Sequence, residues 1–279
     1  MSAAPGGEGW VLVLGRGKVG HGLSHALKAA GVPTRLRGAR HVRAVDLAGA
    51  WVAVLAVPDA AILETSARVA PQLRLHVPLL HCAGGQAATL AQAVSSGHPV
   101  GAMHPLVSFA DAKHPPTLVG TSFVIAGDAP ASAAAKRLAH AVGALSVVRA
   151  LHGPAYHAAA ALVANGATAL AALGIELLEA LDVPPRDAAR AMGALLRSVG
   201  ENVERLGLPR ALTGPVARGD VKSVSAHRRA LAAHSRVLAA YDAVAPSILD
   251  VAVAAGLAPE RARALRRVIR ARGAGRDQS

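Results

Sequence analysis

Aromatic residues are almost absent from this chain of 279 residues, of which phenylalanine, tyrosine and tryptophan make up only 2%. Proteins that stack nucleic-acid bases need such side chains, so their scarcity argues against that class although the formal net charge is +13. The basic residues are scattered, except in the tail from Arg261 to Arg276, which predicts a basic final helix. Nucleic acid is therefore not an expected partner.

Cys82 is the only cysteine, which excludes an internal disulfide and fits a reducing compartment, so we expect a cytoplasmic protein. Residues 1–9 lack a basic region followed by an apolar run, and they predict a disordered leader rather than a signal peptide. Neither HExxH, nor Cys–His metal-ligand spacing, nor G-x-S-x-G occurs in the sequence. We therefore expect neither a metal site nor a serine hydrolase.

The clearest motif lies where a short apolar strand, Val11 to Leu14, leads directly into a glycine-rich turn and a helical pattern. The turn has the form G-x-G-x-x-G and consists of Gly15, Arg16, Gly17, Lys18, Val19 and Gly20. The first glycine allows the tight turn, the second lets a pyrophosphate approach the backbone, and the third lets the helix pack on the strand. The helix N-terminus offers unpaired N–H groups to phosphates. The strand and the helix favour a dinucleotide site over a glycine-rich turn of another kind.

Basic residues follow the second strand, which the pattern predicts at Val32 to Leu36. An acidic residue about 20 positions after the glycine turn binds the ribose of NAD, whereas arginine accommodates the 2′-phosphate of NADP. Arg35, Arg37 and Arg40 occupy this region, and Asp46 comes too late for the acidic role. We predict NADP(H) in preference to NAD(H), with Arg37 and Arg40 as ligands. The alternative is that these arginines merely face solvent.

Strands and helices alternate as far as residue 150, which predicts an α/β fold with a doubly wound parallel sheet. Ligands in such sheets lie beyond the carboxyl ends of the strands. We therefore place Val57, Pro58 and Asp59, which end the strand from Trp51, near the cofactor. Asp59 has an alternative role as the N-cap of the next helix.

No strand is predicted beyond Arg149, and an almost uncharged helical stretch runs from Tyr156 to Asp182. Its length suits a membrane span, but its polar and small residues favour a helix buried in a helical domain or in a dimer interface. Further helices are predicted at Asp187–Leu206, Ser223–Leu238, Ala240–Ala255 and Pro259–Arg270. The predicted organisation is a Rossmann domain over residues 10–150, an all-helical substrate and dimerisation domain over residues 151–272, and a disordered basic tail over residues 273–279.

Several stretches together resemble the Rossmann-like, DUF2520-containing protein family: HPLVSF (His104–Phe109), YHAAAALVAN (Tyr156–Asn165), LTGPVARGD (Leu212–Asp220) and AHRRAL (Ala226–Leu231). The glycine turn and AVPDAAI (Ala56–Ile62) fit its N-terminal half. More distantly, the domain organisation is similar to that of pyrroline-5-carboxylate reductase, ketopantoate reductase and the 6-phosphogluconate or β-hydroxyacid dehydrogenases. The resemblance implies an NADP-binding Rossmann domain followed by a helical domain that supplies homodimer contacts and part of the site.

Two positions depart from the related proteins. The family usually carries a hydroxyl residue where Cys82 stands. The β-hydroxyacid and ketopantoate enzymes have a catalytic lysine four residues before a helix asparagine, and if Asn165 is that asparagine, the lysine position is Ala161. A lysine mechanism is therefore not expected here.

Reduction of a C=O or C=N group by NADPH needs a hydride and a proton, and histidine titrates in the right range to supply the proton. His104 comes directly after the strand that the pattern predicts at Pro99 to Met103. We predict that His104 or His157 donates the proton and that Asn165 hydrogen-bonds the substrate. Ser108, Thr213 and Arg218 are the candidates for binding the substrate. The alternatives are structural: either histidine as a cap or core residue, Asn165 bonded to backbone, and Arg218 bracing its loop through Asp220.

These residues predict an NADP-dependent oxidoreductase that acts on a keto or imine group of a small carboxylate, with a ketopantoate-like substrate as the first guess. The alternative is a catalytically inactive nucleotide-binding sensor or assembly protein, because the lysine is missing. A homodimer is expected, and a membrane is not.

Overall fold

A computed structural model describes residues 9–85, 97–149 and 153–270 of the chain. These residues form seven strands: β1 (Trp10–Leu14), β2 (Thr34–Arg37), β3 (Ala50–Leu55), β4 (Leu79–His81), β5 (Val100–Pro105), β6 (Ser122–Gly127) and β7 (Leu145–Val148). They also form nine α-helices: α1 (Lys18–Ala29), α2 (Ala44–Ala48), α3 (Ile62–Val69), α4 (Ala129–Ala141), α5 (Pro154–Glu179), α6 (Pro185–Leu206), α7 (Val221–Ala230), α8 (Ser235–Ala254) and α9 (Pro259–Arg270).

All seven strands belong to one sheet in the order β2-β1-β3-β4-β5-β6-β7. The strands from β2 to β5 run parallel, and the strand order reverses between β1 and β3. In sheets of this kind the crevice beyond the carboxyl ends of the strands at that reversal is where ligands bind. The predicted α/β fold with an N-terminal Rossmann sheet is confirmed.

The last two strands depart from the parallel arrangement that the sequence predicts. β6 pairs with β5 in the antiparallel sense, and β7 lies parallel to β6. A parallel pair of neighbouring strands needs a crossover connection, usually a helix, whereas the segment from 106 to 121 contains no helix. The chain therefore returns along the sheet in the opposite direction.

Apolar residues that alternate along the strands cover both faces of the sheet. Val11 and Val13 of β1 lie in one core with Leu23 and Leu27 of α1. Leu12 and Leu14 lie in a second core, on the opposite face. The two further helices of that second face, α2 and α3, contribute Leu47, Ile62 and Val69. Both faces of the parallel strands are thus buried, as a doubly wound sheet requires.

The chain divides into two compact units, Met1–Ala164 and Asn165–Ser279. The described part of the second unit is helical, and its core is formed by residues of α7, α8, α9 and the loop before them: Val216, Val224, Ala245, Leu249, Ala252, Ala262, Leu265 and Ile269. The domain limits given by the sequence stay a prediction. The proposed leader and the proposed tail lie largely or wholly outside the described residues.

The long apolar helix α5 is not buried within the chain. Of the two roles that the sequence favoured for it, that of a helix buried in a helical domain is therefore wrong. None of its 26 residues is buried, and Leu162 and Val163 are 76% and 71% exposed. By length and composition alone, α5 and α8 are both apolar enough to cross a membrane. The role in a dimer interface stays a prediction.

The single helix predicted over Ser223–Leu238 is in fact two helices. α7 ends at Ala230, the residues Leu231–Ala233 form a short 3-10 helix, and α8 begins at Ser235. The break lets Arg228 of α7 form two hydrogen bonds, of 2.8 and 2.9 Å, with the carboxylate of Asp242 in α8. In one continuous helix these residues, 14 positions apart, would be about 21 Å apart along the axis.

Candidate functional site

The glycine turn connects β1 to α1 in a way that leaves no room for side chains at two of its three glycines. Gly15 has a positive φ of 125°, and a Cβ there would lie 2.1 Å from the carbonyl oxygen of Ala56. A Cβ on Gly20 would lie 1.9 Å from the carbonyl oxygen of Gly15. The turn and the close packing of helix on strand therefore require glycine, as the motif predicts.

Gly17 differs from the other two because no atom lies within 4 Å of the position that its Cβ would take. Its glycine is not needed for packing, so the open space is available to a group that approaches the backbone. α1 begins directly after it, and no side chain caps that helix. The arrangement fits a pyrophosphate, which would accept hydrogen bonds from the free N–H groups.

The three variable residues of the turn lie where a nucleotide could contact them. Arg16 and Lys18 are exposed, and Val19 is partly buried against the core. Their predicted contacts with the cofactor stay predictions.

Three arginines at the end of β2 and in the segment after it surround one buried carboxylate. Arg35, Arg37 and Arg43 donate hydrogen bonds of 3.1, 2.9 and 3.2 Å to Asp46, which is inaccessible to solvent. The hydrogen bond from Arg37 is the main reason that the pKa of Asp46 falls to about 2. The guanidinium group of Arg35 also lies 3.3 Å from the ring centroid of Trp10.

This cluster changes the interpretation of the basic segment. Arg37 does not simply face solvent, because Asp46 and the carbonyl oxygen of Leu36 accept its hydrogen bonds. Arg40 is exposed. Sequence reasoning dismissed Asp46 as a cofactor ligand and missed its contact with the arginines. Because three positive charges meet one negative charge, the cluster keeps a net charge of +2.

The segment after β3 comes to the same edge of the sheet as the glycine turn. Val57 is partly exposed, and Pro58 and Asp59 are exposed. The alternative role of Asp59 as an N-cap is wrong, since Asp59 lies inside a 3-10 turn and no side chain caps that turn or α3. Its carboxylate remains available for other contacts.

His104 is the next-to-last residue of β5, so the prediction that it follows the end of that strand is wrong. The strand continues because the antiparallel partner β6 pairs with it up to Pro105, which lies opposite Phe123. His104 nevertheless lies at the carboxyl end of a parallel strand, which is the edge that the cofactor is expected to occupy.

The ring of His104 is held between a glycine and a tyrosine. A Cβ on Gly84 would lie 2.7 Å from Cε1 of His104, so the ring lies directly over that glycine. Nδ1 of His104 is 2.7 Å from Oη of Tyr156, and the two rings meet edge to face at 85°. Burial is the main reason that the pKa of His104 lies below its ordinary value; the charges of His157 and His81 lower it further, and that of Asp59 opposes them.

The structure brings three of the predicted residues together around the turn after β4. The position that a Cβ of Gly85 would take is 3.7 Å from Oδ2 of Asp59 and 4.0 Å from Cβ of His157. Both residues also act electrostatically on His104. His104, His157 and Asp59 are therefore neighbours, although their predicted roles stay predictions.

Sequence reasoning missed Tyr156, His81 and Gly84 as members of this cluster. Tyr156 stands beside His157 in a motif of the resemblance and is one of only two tyrosines in the chain, which is the signal that could have identified it. His81 ends β4 and is buried, with the backbone N–H of Ala83 donating to its Nδ1 at 3.2 Å.

Neither thiol nor metal chemistry is supported within the described residues. Desolvation raises the pKa of the Cys82 thiol to about 12, which keeps it protonated and weakly nucleophilic. No group of three or more His, Cys, Asp or Glu side chains in the described ranges could hold a metal ion.

The other predicted substrate ligands are exposed side chains. Ser108 follows β5, and Asn165, Thr213 and Arg218 belong to the second unit. Among the described residues no hydrogen bond joins Arg218 to Asp220, but the charge of Arg218 is one of the causes that hold the pKa of Asp220 below its ordinary value. The Asp220 carboxylate instead accepts hydrogen bonds of 3.0 and 2.6 Å from the backbone and hydroxyl groups of Ser223, and so caps α7.

Residues 121–248 match the family model of DUF2520, a domain of unknown function. The match begins in the Rossmann sheet, just before β6, and ends in α8. The resemblance seen in the sequence motifs is thereby confirmed. No curated protein matches the chain.

Solved structures show the same fold. A candidate NADP oxidoreductase from Bacteroides fragilis matches with a TM-score of 0.68 and 19% identity, over 87% of this chain and 98% of that one. A protein from Thermotoga maritima matches with a TM-score of 0.64 and 23% identity, over 88% and 99%. The pyrroline carboxylate reductase of Plasmodium falciparum, solved with NADP bound, matches with a TM-score of 0.56 and 14% identity, over 87% and 98%.

Proposed function

We propose that this chain, which carries a DUF2520 domain and has the fold of dehydrogenase-type Rossmann proteins, is an oxidoreductase. It uses NADPH to reduce a keto or imine group of a small carboxylate. The observation that carries the proposal is the pairing of two features at one edge of the parallel sheet: an uncapped glycine turn shaped for a pyrophosphate and a half-buried histidine held in a fixed orientation.

The choice of NADPH rests on the arginine cluster around Asp46. The buried carboxylate of Asp46 fixes Arg35 and Arg37 at the end of β2. In Rossmann folds, residues at the end of this strand contact the adenosine ribose of the cofactor. An acidic residue free to bind a ribose hydroxyl would favour NADH, but Asp46 is buried and already bonded to three arginines. A 2′-phosphate would meet the net positive charge of the cluster, with Arg40 as a further exposed cation.

The chain supplies binding, orientation and a proton, and the bound NADPH supplies the hydride. His104 or His157 donates the proton to the reduced group, and Asn165 hydrogen-bonds the substrate. The substrate is bound by Ser108, Thr213 and Arg218, and the guanidinium group of Arg218 binds its carboxylate. A ketopantoate-like acid is the first substrate to test, on fold analogy. A cyclic imino acid is the second, because one structural neighbour is a pyrroline carboxylate reductase.

The alternative is a nucleotide-binding sensor or assembly protein without catalysis. It is favoured by Ala161, which stands where related dehydrogenases carry a catalytic lysine. A protein that binds NADPH tightly but oxidises it with no 2-keto or imino acid would support this alternative.

The decisive experiment is a titration of the purified protein with NADPH and with NADH, followed by nicotinamide fluorescence, for the wild type and for Arg37→Ala. We expect preferential binding of NADPH, and a loss of about tenfold in the variant because one charge-assisted hydrogen bond to the phosphate disappears. Arg74→Ala, which removes an exposed arginine before β4, is the matched control and should bind as the wild type does.

Failure of both nucleotides to bind would overturn the cofactor site. Equal binding of NADPH and NADH would overturn only the proposed role of the arginines and would leave the cofactor site in place. If NADPH binds, a screen of keto and imino carboxylates with wild type and His104→Gln tests the chemistry, and we expect turnover that the variant lacks.

We also propose that the chain forms a homodimer through its helical part and works in the cytoplasm. The apolar helix α5 has no buried residue, and an exposed apolar stripe runs along α6. A second copy offers the same two surfaces, so each could cover the other around a twofold axis.

A further inference from the structure

Tyr156 and His104 are in direct contact, beside the three groups that act electrostatically on His104: His157, Asp59 and His81. Oη of Tyr156 lies 2.7 Å from Nδ1 of His104, which is the length of a good hydrogen bond. The ring centroids are 5.6 Å apart and the planes are nearly perpendicular. Tyr156 lies in the first turn of α5, so the contact joins that helix to the end of β5.

The direction of the hydrogen bond follows from the ordinary chemistry of the two groups. Burial raises the pKa of Tyr156, so its phenol keeps its proton at neutral pH. Burial also lowers the pKa of His104, aided by the charges of His157 and His81. A neutral imidazole has one donor and one acceptor nitrogen. A phenol can donate or accept, but it is the stronger donor of the pair, and an imidazole nitrogen is the stronger acceptor. The favoured arrangement therefore has the phenol donating to Nδ1, which leaves the ring proton on Nε2.

Two neighbours keep the imidazole in this orientation. Gly84 lies under the ring, where any side chain would collide with it. Within the described parts of the chain, Nδ1 has a protein partner in Tyr156, and no protein partner is found for Nε2. Nε2 is consequently the nitrogen left to meet a ligand.

We propose that Tyr156 is a positioning residue that holds neutral His104 in the tautomer protonated on Nε2, so that Nε2–H is the group that donates to the substrate. The inference rests on the proposed reduction and makes its proton donor specific. It also chooses between the two candidate proton donors, since His157 is exposed and does not share the contact of His104 with Tyr156.

The proton balance of the reduction follows from this arrangement. As the hydride forms a C–H bond with the carbonyl carbon, the carbonyl oxygen takes the proton from Nε2, and the N–H bond there breaks. Nδ1 takes the phenolic proton of Tyr156, so the imidazole stays neutral and carries its proton on the other nitrogen. Once the product has left, Nε2 takes a proton from water and Nδ1 returns its proton to the tyrosinate, which restores the starting state of both groups. One hydride and one proton have then been added to the substrate.

The test begins with NMR of the full protein labelled with ¹⁵N in histidine, without substrate, and uses His104→Gln to assign the His104 signals. We expect a protonated Nε2 and an unprotonated Nδ1 at pH 8. In Tyr156→Phe we expect a mixture of tautomers and a His104 pKa raised by about half a unit or more, because the donor that favours the neutral ring is lost.

Tyr241→Phe is the matched control. The chain has two tyrosines, and Tyr241 makes a similar edge-to-face contact with His227, with its hydroxyl 3.3 Å from Nδ1. This substitution also removes a phenolic oxygen, but from a tyrosine of the helical unit. It should leave the His104 tautomer and pKa unchanged.

Two results would overturn the inference: a wild-type His104 protonated on Nδ1, or a His104 pKa that falls in Tyr156→Phe. Because the spectra need no substrate, absence of turnover would count against the proposed reduction and not against the tautomer. Once a substrate is found, Tyr156→Phe should lower kcat by about tenfold at unchanged NADPH affinity. An unchanged kcat would overturn the role in catalysis.

Discussion

At the scale of single residues, Gly17 and Gly20 belong to the same turn but have different physical reasons to be glycine. A Cβ on Gly20 would collide with the backbone oxygen of Gly15, whereas a Cβ on Gly17 would meet nothing within 4 Å. Gly17 also has an extended conformation, with φ of −77° and ψ of −178°, which any residue can adopt. Gly20 is needed to build the fold, and Gly17 is needed by the proposed ligand.

Substitution of each glycine by alanine separates these two requirements. Gly20→Ala should lower the free energy of unfolding by about 3 kcal/mol, because the backbone of the turn must move. Gly17→Ala should change it by less than about 0.5 kcal/mol and yet weaken NADPH binding at least tenfold, since the methyl group occupies the space for the pyrophosphate. Urea denaturation and fluorescence titration measure the two effects. A Gly17→Ala variant that binds NADPH normally would contradict the assignment of this turn.

At the scale of secondary-structure elements, the segment after β5 is attached to α1 through one ring. A Cβ on Gly22 of α1 would lie 2.5 Å from Cε1 of Phe109 and 3.3 Å from Cβ of Pro115. The glycine at position 22 is therefore explained by the ring that packs against it. This contact holds the segment that contains Ser108 beside the helix of the glycine turn.

The contact predicts that Gly22→Ala and Phe109→Leu are energetically coupled. Gly22→Ala alone should lower the free energy of unfolding by about 1 to 2 kcal/mol, and the loss should be about 1 kcal/mol smaller in the Phe109→Leu background, where the ring is gone. Gly193→Ala is the control, because nothing lies within 4 Å of the position of its Cβ in α6. It should stabilise the protein by up to about 1 kcal/mol through helix propensity alone. Strictly additive effects in the double variant would show that the ring does not press on the helix.

At the scale of the whole molecule, the helices α5 and α6 each leave apolar side chains uncovered. The residues of α6 that form its exposed stripe, Leu195, Leu196, Val199 and Val203, recur at the spacing of one helical face. On α5, Leu162 and Val163 are likewise exposed. Contiguous apolar surfaces of this kind mark interfaces in soluble proteins.

The proposed homodimer predicts a specific loss of association. We expect the wild type to sediment as a dimer, and both Leu162→Glu and Leu195→Glu to sediment as monomers, because each places a charge in the buried contact. Leu75→Glu changes a leucine that is 71% exposed in the first unit and should leave the dimer intact. A wild type that is monomeric at micromolar concentration, or that sediments only with lipid vesicles, would contradict the proposal.

Particular residues show how much of the structure can be predicted from the sequence. The glycine turn, the Rossmann half and the helical half follow from local patterns, and the structure confirms the fold class. Local patterns did not show that His104 lies inside a strand, because the length of β5 depends on its pairing with β6. Nor did they show the break after α7, which brings Arg228 into contact with Asp242.

The sequence by itself determined the fold class and the place of the glycine turn, because glycine conformation and hydrophobic periodicity act between residues close together in the chain. Only the tertiary structure decided which side chains meet: Asp46 with three arginines, and Tyr156 with His104 across 52 positions. Such contacts are set by the order of strands in the sheet and by the packing of helices on it. No local pattern encodes them, and the proposed proton donor is defined only once they are formed.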